Sequence, residues 1–110
     1  MTDVVIVLTT VAGGEGGEAL ARQLVEERLA ACANLHAPMV SFYRWKGKVE
    51  RDGERQMVIK TTREQLPALQ ARLAQLHSYD LPEFLVISDV EPSAEYLTWV
   101  NESVQKDGGG

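Results

Sequence analysis

The densest group of side chains able to do chemistry is the run His77-Ser78-Tyr79-Asp80-Leu81-Pro82-Glu83, which offers an imidazole, a phenol and two carboxylates in one short stretch. An imidazole and a carboxylate make two ligands of a metal site of the kind copper or zinc accepts. Two ligands alone hold an ion weakly, so a working site needs a third from Cys32, from another chain or from a held water. The metal candidates are therefore His77, Glu83 and Cys32. Two other readings stand beside this one. His77 can close a helix end while Glu83 pairs with Lys60 or Arg44 across a subunit boundary, or the group can meet an organic or phosphate ligand.

Tyr43 and Trp45 share one face of a strand, and Trp99 lies further along the chain. Such rings can clamp a ligand, or they can anchor a subunit contact, because aromatic side chains supply the largest buried area per residue. Lys60, near the end of a central strand, is placed to meet an anion in a cleft between chains. Together with Tyr79 these residues, Tyr43, Trp45, Lys60 and Trp99, are the expected lining of an inter-subunit cleft. No catalytic residue is expected: His36 and His77 fall on separate elements and neither has a Ser or Cys partner in a recognisable nucleophile context.

The elements that must position these groups can be read from periodicity. Val4 to Leu8 is a β-branched run of the buried-strand type. Gly13, Gly14, Gly16 and Gly17 follow as a flexible turn, without the lysine of a P-loop or the spacing of a dinucleotide fingerprint. From Glu18 the period becomes helical through Ala21, Leu24, Val25, Leu29 and Cys32, which puts the thiol on or near a buried stripe at a helix end. Leu35 to Trp45 reads as strand interrupted by Pro38. Lys46-Gly47 offers a tight reversal, and the return runs through Val49 to Lys60, with Asp52-Gly53 marking either a bulge or the tip of a shorter hairpin. Thr62 and Gln65 form a capping box for a helix carrying Leu66, Leu69, Leu73 and Leu76, with Pro67 delaying its start. Phe84 to Ile87 is a further strand, and Ser93 caps a last helix with Tyr96, Leu97, Val100 and Val104.

This order predicts an α+β fold of the ferredoxin-like βαββαβ type, an antiparallel sheet with helices on one face plus a C-terminal helix. It forms a single domain over 1–107, followed by a disordered tail at 108–110. The other sheet face is left bare, which predicts an oligomer.

Composition narrows the partners. The chain has 110 residues, 11 Lys and Arg against 16 Asp and Glu, and a net charge of −5. It offers no broad basic face for nucleic acid and no apolar run of the ~20 residues that cross a bilayer. One cysteine excludes an internal disulfide and suits a reducing compartment. Without a signal-peptide pattern at the N-terminus, a cytoplasmic location is expected. A domain this small has little interior for an enclosed site, so a sizeable pocket is expected to need a second copy.

Five stretches taken together resemble the CutA family of divalent-cation tolerance proteins. They are residues 24–34 (LVEERLAACAN), Tyr43-Arg44-Trp45-Lys46-Gly47-Lys48, Ile59-Lys60-Thr61-Thr62, His77 to Glu83, and Tyr96-Leu97-Thr98-Trp99. The resemblance implies a ferredoxin-like fold, a tight homotrimer similar in build to PII-type signalling proteins, a cytoplasmic place, and a part in tolerance to copper and other divalent metals. The sequence departs from the family pattern at Thr9 and Leu76, where some members carry cysteine and a second histidine. It departs again at Ser78 and at Val11-Ala12, where prolines are usual. Of that possible copper-binding set only His77 remains. Two functions are carried forward: a non-enzymatic trimer that binds divalent metal, copper foremost, and a PII-like small-molecule or anion sensor or signalling scaffold whose metal binding is incidental.

Overall fold

The computed structural model describes residues 2–105, so the expected end of the domain at 107 and the expected tail at 108–110 lie outside the described residues. Among these residues five strands and three α-helices follow in the order β1 (Val4–Ala12), α1 (Gly16–Glu26), β2 (Cys32–Leu35), β3 (Met39–Trp45), β4 (Lys48–Thr62), α2 (Leu66–Leu76), β5 (Leu85–Ile87) and α3 (Ala94–Val104). The α+β antiparallel fold read from the sequence is the one observed.

The long strand β4 organises the sheet. Its C-terminal part pairs with β1 on one side, Val4 opposite Thr62 through Ala12 opposite Glu54. On the other side it pairs first with β3, Trp45 opposite Lys48 through Met39 opposite Glu54, and then with β2, Leu35 opposite Met57 through Cys32 opposite Lys60. Strands β2 and β3 are thus consecutive tenants of one edge, separated where Pro38 has no N–H to give to a ladder. Strand β5 completes the sheet on the far side of β1, from Ile6 opposite Ile87 to Leu8 opposite Leu85.

The Asp52-Gly53 pair is neither a bulge nor a tip. It lies within unbroken strand, with Asp52 opposite Ser41 and Gly53 opposite Val40. The reversal is made by Lys46 and Gly47 alone, at φ of 51° and 82°. Two positive φ values in a two-residue loop match the right-handed twist of the flanking strands, so the turn signal at 46–47 outweighs the one at 52–53. The result is a two-stranded arm that extends the molecule to 47 Å in its longest direction.

Helix α1 departs from its sequence reading at both ends. Gly16 and Gly17 are not loop but its first residues. Gly17 permits a close approach to the sheet, since a Cβ there would stand 3.0 Å from Val11 and 3.2 Å from Leu35. At the other end the helix stops at Glu26. Arg28 takes a left-handed φ of 61°, with Leu29 N–H bonded to the Leu24 carbonyl and Arg28 N–H to that of Val25. This is a Schellman closure, in which Leu29 packs back onto Leu24; the apolar period therefore outlives the helix. Cys32 consequently begins β2 and does not sit on a helical stripe. The stop lacks the usual glycine and carries no sequence signal.

The capping box before α2 also fails to form. Thr62 is buried and extended, makes no side-chain cap bond, and leads into a short 3₁₀ turn at Arg63–Gln65 before α2 begins. Ser93 does cap α3, accepting from the Tyr96 N–H at 3.1 Å.

Helices α1 and α2 cover one sheet face, where Val7, Val11, Met57 and Ile59 meet Leu24, Leu69 and Leu73. The second face is not wholly bare. Val4, whose side chain alternates with those of Val5 and Val7, packs with Val100 and Val104 of α3. Helix α3 therefore closes one end of that face. The middle keeps an apolar strip, with Leu85 and Ile87 exposed on β5 and Leu8 and Val58 half-buried beside them.

Two measurements check this packing. The hydroxyl of Thr9 is fully buried and has no hydrogen-bond partner, which costs about 1–3 kcal/mol. Thr9→Val should therefore raise the denaturation midpoint in urea, and a loss of stability would show that the hydroxyl is bonded. The Arg72 guanidinium grips Glu27 through two 2.8 Å bonds and, with Gln23 assisting, holds its carboxyl down at about 2 from an ordinary 4.5. A depressed carboxylate stabilises the fold fully above its unfolded pKa and loses that contribution as pH falls. The stability difference between the parent and Arg72→Ala should accordingly be largest above pH 4.5 and shrink toward pH 2.

Candidate functional site

The His77–Glu83 segment leaves α2 and curls against the base of the arm. His77 takes extended backbone angles, and its N–H closes the helix on the Leu73 carbonyl at 2.8 Å. Its Nε2 lies 2.7 Å from the Thr10 carbonyl, which can only accept, so Nε2 carries the proton. Nδ1 is then the acceptor, taking the Tyr79 N–H at 3.1 Å. The ring thus has both nitrogens engaged, and it stacks at a tilt against Tyr79 with centroids 4.6 Å apart.

Tyr79 passes the connection on. Its hydroxyl donates to Glu54 Oε2 at 2.7 Å. Burial, then the bond to Glu54 and the negative charge of that carboxylate, pushes the phenol well above its usual range. Gln56, two residues along the same face of β4, donates from one amide nitrogen to the Thr9 carbonyl at 2.6 Å and to Glu83 Oε2 at 3.0 Å. The His77 contact lies where β5 has ceased to pair: its ladder ends at Leu8, and beyond it the Thr10 carbonyl is taken by a side chain.

Between this segment and the arm opens a cleft of about 940 Å³. Tyr43, Trp45 and Tyr79 supply aromatic wall, and Glu54, Asp80 and Glu83 supply carboxylates. Tyr43 donates to Asp52, which pushes its phenol up to about 12. Lys46 holds its ammonium 5.9 Å from the centroid of the Trp45 ring.

The sequence candidates therefore divide. His77, Glu83, Tyr79, Tyr43 and Trp45 come to one region, the first at its edge through Thr10 and the other four in the cleft wall. Cys32 does not join them. It faces Lys60 across the β2–β4 ladder, its thiol 3.6 Å from the Asn34 side-chain oxygen that Lys60 also bonds. Ile6 pairs with Lys60 and Thr10 with Gln56, so the Cys32 and His77 ends of this face are four residues apart along β1, about 13 Å at strand rise. No single ion within one chain reaches both, since metal–ligand bonds are about 2.0–2.3 Å long. Among the described residues no three His, Cys, Asp or Glu side chains come together as a metal group. Trp99 lies at the α3 end, stacked on Tyr96 at 5.4 Å and lining a smaller cavity of about 390 Å³ with Val25 and Arg28.

Glu54 was missed from the sequence. It is the one buried ionisable side chain among the described residues, 7% exposed. The signal that finds it is strand parity: once β4 is continuous through Asp52-Gly53, Glu54 shares a face with Gln56 and stands opposite both Ala12 and Met39.

Comparison with known proteins agrees with this architecture. The family model for the CutA1 divalent ion tolerance protein matches residues 5–103. A divalent-cation tolerance protein CutA of Thermus thermophilus is 42% identical over 98 residues, spanning 89% of this chain and 95% of its own length. Its counterpart from Pectobacterium atrosepticum is 40% identical over 96% of both chains. Among solved structures, CutA from Xylella fastidiosa superposes with a TM-score of 0.89 at 39% identity, over 94% of this chain and 100% of that one. A structure from Archaeoglobus fulgidus, described as a periplasmic divalent cation tolerance protein CutA, superposes at 0.88 with 32% identity over 94% and 100%. A chain that shares this much sequence across nearly its whole length, and superposes this closely, belongs to the CutA1 divalent ion tolerance protein family.

Proposed function

We propose that the protein works as a cytoplasmic homotrimer in the response to divalent metal ions, taking copper or a similar cation at a site that neighbouring chains complete. The observation that carries this reading is the cleft beside the arm, where Glu54, Asp80 and Glu83 face a single basic residue, Arg44. That sign of charge attracts cations.

One chain alone does not fit a resident ion. His77 gives both nitrogens to backbone groups, and Cys32 is at the other end of the sheet face. A third ligand from a second chain answers that shortage. The apolar strip of Leu8, Val58, Leu85 and Ile87 supports association, because contiguous exposed apolar area marks interaction surfaces. Association would also bring a neighbour's side chains to the cleft. The free thiol of Cys32 suits a reducing compartment. The engagement of His77 with backbone favours a binding protein over an enzyme, since a general base needs a nitrogen available to its substrate.

A second reading, a sensor of a small organic molecule, is favoured by the size of the cleft and its aromatic walls, which an ion alone does not need.

Calorimetric titration with copper, run beside sedimentation, tests the first reading. The expected result is saturable binding by a trimer, weakened at least about tenfold in Glu83→Gln, as expected for loss of one charged ligand. Unchanged affinity and stoichiometry in both Glu83→Gln and His77→Ala would remove the metal from this segment. A stable monomer would remove the shared site.

A further inference from the structure

We draw no further inference here: the strongest candidate, the cavity of about 390 Å³ between the end of α1 and α3, where Val25 and Trp99 form an apolar wall beside Arg28, carries nothing, because nothing in the structure shows what covers that wall and the Arg28 guanidinium is already engaged by the Ser103 carbonyl at 3.2 Å.

Discussion

Strand β4 is the element on which the remainder depends, because among the described residues it is the only strand that hydrogen-bonds to three others. Side chains on a strand alternate between faces, so a shift of one residue anywhere along β4 would exchange the core set for the exposed set. In the register adopted, Met57, Ile59 and Thr61 turn to the helices. Glu54, Gln56, Val58 and Lys60 turn to the other face. One ladder therefore decides both what is core and what is available for recognition. Thr61 ties the two together, its hydroxyl donating at 2.8 Å to the Leu29 carbonyl where α1 hands over to β2.

The polar segment 77–83 is held by the same ladder. Where β5 stops pairing, β1 leaves the Thr10 carbonyl to satisfy, and a buried backbone acceptor must find a donor. His77 supplies it, while Gln56 adds a side-chain bond to the neighbouring Thr9 carbonyl. The ring of His77 is oriented by this duty, and its second nitrogen receives the Tyr79 N–H, which helps set the phenol against Glu54. The groups that close the sheet end also present carboxylates and aromatic rings to a cleft.

Much of the fold was legible because its signals were local. β1, the Lys46-Gly47 turn, the Leu69 and Leu73 stripe and the Ser93 cap each rest on a few neighbouring residues. What was misread depended on distant partners. The end of α1 was hidden because Arg28, not glycine, takes the left-handed position, and a Schellman closure reuses the apolar Leu29. Asp52-Gly53 looked like a turn because its pairing with Val40 and Ser41 is a contact across the hairpin. The Thr62 box lost to a tertiary demand, the burial of Thr62 itself.

The candidate site divides along the same line. The sequence by itself determined which groups exist and that His77, Tyr79, Asp80 and Glu83 travel together, since proximity along the chain guarantees proximity in space. Only the tertiary structure decided that Cys32 is about 13 Å along the strand from them, that both nitrogens of His77 are spent on backbone, and that Glu54 is the buried carboxylate of the cleft. Which atoms a side chain meets depends on strand register and on where a ladder ends. Those are properties of residues far apart in sequence, and no local pattern of types or spacing encodes them.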